Sequence, residues 1–491
     1  MISDIVIQDI NEVYVKVNCE PNLAHELRDH FTFMVPGAQF SPRFRARLWD
    51  GKIRLLDTRT NHIYRGLVPN IIDFCNTRNY TYSYTSFDDE FSLKEAEQFI
   101  SKLNPKHVPR DYQIESFVDS IRTRRQILLS PTSSGKSLII YLLVHYLLQE
   151  KNSRGLIVVP TVSLVKQLFS DFIDYSENNA WDVENNVQVI FEGMSKTISC
   201  PVTISTWQSL QNMSPKFFKQ FTYVIGDEAH QFKAKSLISI MTNLTNAKYR
   251  IGTTGTLDGL KTNKLVLEGL FGPVKQVITT KELMDRKDVA DFSIKCLVLK
   301  YDDQTCKAAR DFNYQKEIEF LVLNDRRNKF ISNLALSLKG NTLILYQYVD
   351  KHGKILFDMI NNEIDHSRKS YFIHGNVDAD MRERTRKEVE NETDSIIVAS
   401  YGTFSTGINI RNLHNIIFAS PSKSRIRNLQ SIGRGLRKSD TKTNAVLFDI
   451  SDDLVYKRHE NYTIKHFYER IKIYSEEKFK FKVYKIELKG K

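Results

Sequence analysis

From about Asn104 onward, short apolar runs alternate with longer stretches in which apolar residues recur at helical spacing. That alternation reads as βα units around a parallel sheet, whose strands are apolar throughout because helices cover both faces. Ile127-Leu-Leu-Ser130, Gly155-Leu-Ile-Val-Val159, Val202-Thr-Ile-Ser205, Tyr223-Val-Ile-Gly226 and Tyr249-Arg-Ile-Gly252 form a first series of predicted strands. Thr342-Leu-Ile-Leu-Tyr346, Lys369-Ser-Tyr-Phe-Ile373, Ser395-Ile-Ile-Val-Ala399, Asn415-Ile-Ile-Phe-Ala419 and Ala445-Val-Leu-Phe448 form a second. Two series imply two α/β domains, joined somewhere between residues 280 and 325. Residues before about 100 break the alternation and read as a smaller α+β module. The pattern therefore predicts a module over 1–100, one α/β domain over 101–285, a second over 286–450, and a helix-and-strand extension over 451–491.

At 491 residues the chain is long enough for about three cores, and 41% hydrophobic with 26% charged residues is a globular composition. The longest apolar run, Leu138 to Leu148, is interrupted by His145 and is too short to span a bilayer. Met1-Ile-Ser-Asp-Ile5 lacks a basic segment ahead of an apolar one, so no secretory signal is expected. Five scattered cysteines without a CxxC pair argue against a disulfide scaffold or zinc module. The excess of 70 basic over 58 acidic residues, +12, favours a polyanionic partner.

Ser130-Pro-Thr-Ser-Ser-Gly-Lys-Ser137 follows a predicted strand and opens an apolar helix, the setting a phosphate loop requires. There the backbone N–H groups of Thr132, Ser133, Ser134 and Gly135 would cradle phosphate, Lys136 would add a point charge, and the Ser137 hydroxyl would bind Mg²⁺. Ser130 stands where the generic pattern has Gly. Tyr223-Val-Ile-Gly-Asp-Glu-Ala-His230 places two carboxylates at the end of a buried strand. Asp227 would hold the metal, and Glu228 would orient or deprotonate the attacking water. Together the two motifs predict an ATPase that uses ATP and Mg²⁺.

The order of motifs over residues of about 105 to 450 resembles the superfamily 2 helicases. The resemblance implies two RecA-like parallel-sheet helicase domains, here preceded by a small α+β nucleic-acid-binding domain. Arg110-Asp-Tyr-Gln113 is similar to the upstream glutamine motif, which puts Gln113 on the adenine edge and Tyr112 near the base. Pro160-Thr161 through Gln167, and Ser205-Thr206 through Ser209, are similar to motifs that touch the nucleic-acid backbone. Thr254 and Thr256 stand where the family couples hydrolysis to movement, and His230 completes the acidic box. Tyr401-Gly-Thr-Phe-Ser-Thr-Gly-Ile-Asn409 is similar to motif V, with Thr403 toward nucleic acid and Gly407 toward nucleotide; Asn409 departs from the common Asp. Gln430-Ser-Ile-Gly-Arg-Gly-Leu-Arg437 matches motif VI, and the resemblance makes Gln430, Arg434 and Arg437 catalytic. Two arginines three apart share one helical face, so both could reach one phosphate cluster and stabilise charge on the transferred group. With Lys136 on the other domain, the resemblance implies ATP in an interdomain cleft whose closure is the motor stroke.

Residues 36–66 hold Arg43, Arg45, Arg47, Lys52, Arg54, Arg59 and Arg65 against Asp50 and Asp57, a net of +5. Phe40, Phe44, Trp49 and Tyr64 are interleaved. In Phe44-Arg-Ala-Arg-Leu-Trp-Asp-Gly51 the alternating arginines predict one face of a strand before an Asp-Gly turn. Arg43, Arg45, Arg47 and Lys52 would then bind phosphates, with Trp49 either a wedge against bases or a core residue. The stretch 454–491, eleven basic against five acidic residues, is either a second basic contact or an edge strand protected by lysines.

As a whole the chain resembles the recombination and repair helicases of T-even-like bacteriophages and, more distantly, XPB-type repair helicases. That resemblance implies action on branched DNA and RNA–DNA hybrids (Holliday-type junctions, stalled forks, R-loops). It also implies a monomer in the host cytoplasm, with single-strand-binding or recombination proteins as partners. Three rivals share much of the pattern: an RNA helicase, a restriction-type duplex translocase, and a nucleic-acid-binding protein with a decayed ATPase.

Overall fold

The computed structural model describes residues 3–85, 90–257, 259–365, 367–375, 379–407, 412–420 and 444–488, with positions 410, 424, 429 and 431–433; at 261–262, 379–380, 382–383 and 405–407 it describes backbone alone. The chain divides into two compact units, residues 1–130 with 135–277 and residues 131–134 with 278–491. Among the described residues no helix is long and apolar enough to cross a membrane.

The first unit begins with the α+β module. Strands β1 (Ile5–Asp9), β2 (Tyr14–Cys19), β5 (His62–Tyr64) and β6 (Tyr82–Ser83) form a mixed sheet in the order β5-β2-β1-β6, while β3 (Thr32–Met34) and β4 (Lys52–Arg54) make a separate antiparallel ribbon. Helices Pro21–His30 and Val68–Arg78 bury Leu27, Ile71 and Phe74 as the module's core.

The same unit continues into a seven-stranded, all-parallel sheet. Its strands are β7 (Arg125–Leu129), β8 (Gly155–Val159), β9 (Val187–Ile190), β10 (Val202–Thr206), β11 (Tyr223–Asp227), β12 (Tyr249–Thr254) and β13 (Val274–Gln276), ordered β13-β7-β12-β11-β8-β10-β9. The helix Lys136–Leu147 is apolar on every side and buried from Leu138 to Val144, as expected for a helix enclosed by sheet and neighbours.

The module is not a bead on a tether. Ile5, Val15, Leu27 and Phe74 belong to one apolar cluster with Ile127, Leu265 and Phe271 of the parallel-sheet domain. Gly66 is obligatory at this seam, since a Cβ there would lie 2.0 Å from the Glu268 carbonyl oxygen. Arg65 completes the join, reaching Glu12 and Asp9 at 2.7 Å each, while Arg125 of β7 pairs with the same Glu12. Two cations on one half-buried carboxylate make that seam an electrostatic clasp.

The second unit carries another seven-stranded parallel sheet. Strands β14 (Asp291–Lys300), β15 (Thr342–Tyr346), β16 (Lys369–Ile373), β17 (Ser395–Ser400), β18 (Asn415–Phe418), β19 (Asn444–Asp453) and β20 (Lys480–Glu487) lie in the order β16-β17-β15-β18-β19-β14-β20. All ten predicted strands occur. The expected joining region does not run as a simple connection, because β14 occupies residues 291–300 with Phe292, Ile294 and Cys296 to Leu299 buried. Nor is the C-terminal stretch an appendage: β20 pairs with β14, and the helix Tyr462–Glu476 is pinned to β19 by a buried Arg470–Asp449 pair at 2.8 Å. Lys480, Lys482 and Lys485 on β20 are exposed at a sheet edge, where charge discourages pairing with other chains.

Candidate nucleotide site and nucleic-acid interface

Three neighbouring strands, β7, β12 and β11, end at the same edge of the first unit's sheet. In open parallel sheets ligands bind beyond the strands' carboxyl ends, because loops and helix N-termini converge there. Here that edge gathers the phosphate-loop sequence after β7, Thr254 and Thr256 at and after β12, and Asp227 and Glu228 at β11.

The loop Ser130–Gly135 turns on two left-handed residues, Ser133 (φ 72°) and Gly135 (φ 80°). Ser134 is buried, its hydroxyl donating to the Pro131 carbonyl at 2.7 Å, and Thr132 and Ser133 are half-buried. Ser130 N–H donates to the Thr254 carbonyl at 2.9 Å, tying the loop's base to β12. Lys136 opens the helix and donates from Nζ to the Ser130 carbonyl at 3.0 Å, and Ser137 follows it in the first turn.

Gln113 is buried against this loop. Its Oε1 accepts from the Arg110 N–H at 2.8 Å and its Nε2 donates to the Gly135 carbonyl at 3.2 Å. A Cβ on Gly135 would stand 2.2 Å from that Nε2, so the glycine is needed for close approach as well as for φ. The amide expected on an adenine edge thus braces the phosphate loop. Tyr112 is buried too, its hydroxyl accepting from Arg110 Nη1 at 2.8 Å.

Asp227 faces Thr253, its register partner on β12, whose hydroxyl donates to Oδ1 at 2.7 Å. Burial raises the Asp227 carboxyl above its ordinary range, and the neighbouring Glu228 adds to the rise, while Lys136 and the Thr253 hydrogen bond oppose it. Glu228 adopts φ 53°, a left-handed turn off the strand that a non-glycine residue takes at a cost. Its carboxylate lies 3.3 Å from His230 Nδ1, which is 3.0 Å from Thr254 Oγ1, which in turn donates to the Thr256 carbonyl at 3.0 Å. A continuous polar chain therefore joins the acidic box to the expected coupling residues. Sequence reasoning missed Thr253; a parallel register opposite Asp227 was the signal that could have found it.

The other half of the same sheet edge holds the expected nucleic-acid motifs. Thr161 caps the helix Val162–Tyr175, accepting from the Leu164 N–H, and Gln167 is half-buried one turn on. Gln208, which the motif pattern does not single out, donates to the Pro160 carbonyl at 3.3 Å and so links the two motifs. Ser205 and Thr206 lie at the end of β10. Ser205 is fully buried with its hydroxyl bonded to the Ile190 and Thr206 carbonyls, and Thr206 pairs with the Ser209 hydroxyl. Both shape the turn at the end of β10. In the second unit Thr403 is likewise buried, 2.8 Å from the Ser400 hydroxyl. Gly407 ends the helix Tyr401–Gly407, while Asn409, Gln430, Arg434 and Arg437 lie outside the described residues.

The basic stretch of the module also differs from expectation. Pro42–Arg45 is a helical turn and Arg47 is left-handed (φ 55°), so Arg43, Arg45 and Arg47 do not alternate along a strand. Pro42 at the first helical position fixes φ near −65° and favours the turn that apolar–basic alternation argued against. All three arginines and Lys52 are nevertheless exposed. Trp49 is half-buried, and its Nε1 donates to the Lys52 carbonyl at 2.9 Å.

Comparison with known proteins follows the same division of the chain. Residues 4–85 match the family model of the DNA helicase UvsW N-terminal region, 106–259 that of the type III restriction enzyme res subunit, and 326–439 that of the helicase conserved C-terminal domain. The chain is 36% identical over 493 aligned residues to the ATP-dependent DNA helicase uvsW of Enterobacteria phage T4, covering 95% of this chain and 96% of that protein. It is 24% identical to the DNA 3'-5' translocase XPB2 of Sulfurisphaera tokodaii, over 70% of this chain and 81% of the relative. Among solved structures, the crystal structure of T4 UvsW aligns with a TM-score of 0.52 at 35% identity, over 99% of this chain and all of the other.

Proposed function

As a member of the UvsW family, this chain is an ATP-dependent DNA helicase, and we propose that it acts on branched DNA and RNA–DNA hybrids: four-way junctions, stalled forks and R-loops. One observation supports that substrate class above others. The module that bears the exposed arginines shares an apolar core with the parallel-sheet domain that bears Lys136, Asp227 and Glu228, which couples substrate reading to these ATP-site residues.

On this reading the N-terminus of helix Lys136–Leu147 and the loop before it receive the triphosphate, and Lys136 leaves Ser130 for phosphate. Gln113 keeps the loop in shape. Glu228 orients the attacking water and accepts its proton, and the His230–Thr254–Thr256 chain carries the change at the phosphate to the rest of the sheet edge. Arg434 and Arg437 add positive charge to the transferred group. Ser137 and Asp227 offer the hard oxygen ligands that Mg²⁺ takes, and the raised Asp227 carboxyl is one that a neighbouring cation would restore to its charged form. Bound there, Mg²⁺ would neutralise charge on the phosphates.

Steady-state ATP hydrolysis with linear duplex, single strand, four-way junction and R-loop, at one stated salt concentration, tests the proposal. Junction and R-loop are expected to stimulate most. Equal stimulation by linear strands would reduce the reading to a helicase without branch preference. The match of residues 106–259 to a restriction-enzyme motor favours a second reading, movement along duplex without strand separation. ATP-dependent displacement of a triplex-forming strand with no unwinding of a fork would establish it.

Exchanging Arg43, Arg45 and Arg47 together for Ala should weaken junction binding and flatten its dependence on salt. The log–log slope should fall by roughly 0.9 for each phosphate that is no longer neutralised. Anisotropy titrations between about 50 and 200 mM salt read the slope. An unchanged slope would remove these arginines from the footprint.

A further inference from the structure

The seam between the module and the parallel-sheet domain is packed on one side and open on another. A cavity of about 440 Å³ lies there, within the size range of small-molecule sites. The parallel-sheet domain contributes Arg124, Arg125 and Lys248, which precede or open strands β7 and β12. The module contributes Arg65 and the apolar residues Val68, Pro69 and Ile72. The cavity therefore sits at the amino ends of strands whose carboxyl ends gather the candidate nucleotide residues.

Its cations outnumber its acids. Glu12 is the one acid of the lining, and Arg65 and Arg125 both draw on it already. Asp9 takes the other arm of Arg65, and Asp119 engages the lining residue Lys275. Arg125 Nη1 is buried and has no hydrogen-bond partner among the described residues. Arg250, the register partner of Arg125 on β12, is fully buried and donates to the neutral carbonyls of Met241, Leu244 and Leu270. Burial pushes the Arg250 guanidinium down to about 9, and Arg125 beside it adds to the fall. Lys248 is exposed and pairs with no carboxylate among the described residues. The wall is also firm: Gly272 (φ 126°) is pressed so closely that a Cβ would stand 2.4 Å from the Arg125 carbonyl oxygen.

We propose that this cavity binds a small organic anion, a single carboxylate or phosphate group carried on an apolar body. The anionic group lies toward Arg125 and Lys248, and the body lies against Val68 and Ile72. An inorganic anion would leave the apolar wall in water, and a neutral apolar molecule would leave the cations without a partner. A nucleic-acid backbone suits the cavity less, since its charges repeat along the strand and it has no apolar end for the wall. Ligand and ATP would occupy opposite ends of β7, so the two do not compete.

Calorimetric titration of the full chain tests this, with and without Mg²⁺ and a nonhydrolysable ATP analogue at saturation. The probes are 2-naphthoate and 2-naphthyl phosphate, with 2-naphthamide as the neutral control and acetate and inorganic phosphate as anions without a body. At least one of the two naphthyl anions should bind roughly tenfold more tightly than any control, and the analogue should not displace it. Whichever binds identifies the anionic group that the site takes. Lys248→Glu and Pro69→Asp, at exposed positions contributed by the two domains, should each weaken that binding by roughly tenfold and leave 2-naphthamide as it was. An acid in the first turn of the helix Val68–Arg78 suits its N-terminus, so unaltered melting is expected. Should one variant melt early, the other is read alone. Equal binding of naphthoate, naphthyl phosphate and naphthamide, or no binding of any, would overturn the proposal. Displacement by the ATP analogue would move the anion to the phosphate loop, and displacement by linear duplex would give the cavity to DNA; either result overturns it as well.

Discussion

A Lys136→Ala chain is expected to hydrolyse ATP more slowly by on the order of 10²–10³-fold, while binding junction DNA as tightly as the parent. Lys136 stands at the first turn of a helix whose burial comes from Leu138 onward, so its side chain is dispensable for packing. Its hydrogen bond to the Ser130 carbonyl belongs to the loop itself, and phosphate would replace that carbonyl as partner. The proposed DNA surface lies on the module's loop and depends on none of these atoms. Steady-state turnover and DNA anisotropy measured on the same preparation separate the two properties. Turnover within a few-fold of wild type would take Lys136 out of the phosphate site.

Glu228→Gln is expected to abolish turnover to a similar degree and to do something Lys136→Ala does not, namely hold ATP and DNA together. Gln has nearly the shape of Glu, so the left-handed turn and the approach to His230 at 3.3 Å survive. What disappears is the charge that takes a proton from water. The variant should therefore bind nucleotide, and with ATP its DNA should dissociate more slowly than from wild type. Stopped-flow dissociation into competitor DNA measures this, with a nonhydrolysable analogue and wild-type protein as reference. Undiminished hydrolysis would overturn the role given to Glu228.

The parts of the fold that could be read in the sequence are those dictated by local periodicity. Buried parallel strands are apolar on both faces, so Gly155-Leu-Ile-Val-Val159 and Ser395-Ile-Ile-Val-Ala399 declare themselves without neighbours. The phosphate loop and the Asp227–Glu228 pair could be placed because each is tied to the end of such a strand. What could not be read depends on partners distant in sequence. Strand β14 includes Ser293 and Lys295 among apolar residues and passes for a connection until β19 and β20 flank it. Gln113 and Ser205 match motifs, but the hydrogen bonds that occupy them come from Arg110, Gly135 and Ile190. The loop around Phe44 misled because alternation of basic and apolar residues is a strand signal only where a neighbouring strand exists. Pro42 and the crowded Gly51 impose a compact turn there instead.

The position of β14 also bears on how the protein is made. Both of its neighbours, β19 and β20, come from the far end of the chain, beginning at Asn444 and Lys480. During synthesis a largely apolar strand waits with both edges unsatisfied while roughly 140 further residues emerge, on the order of 10 s at ribosomal speeds. A nascent edge of that kind recruits other nascent edges. Substitutions that weaken the β14–β20 ladder should therefore diminish soluble yield long before they impair the folded enzyme, and slower, cooler expression should restore it.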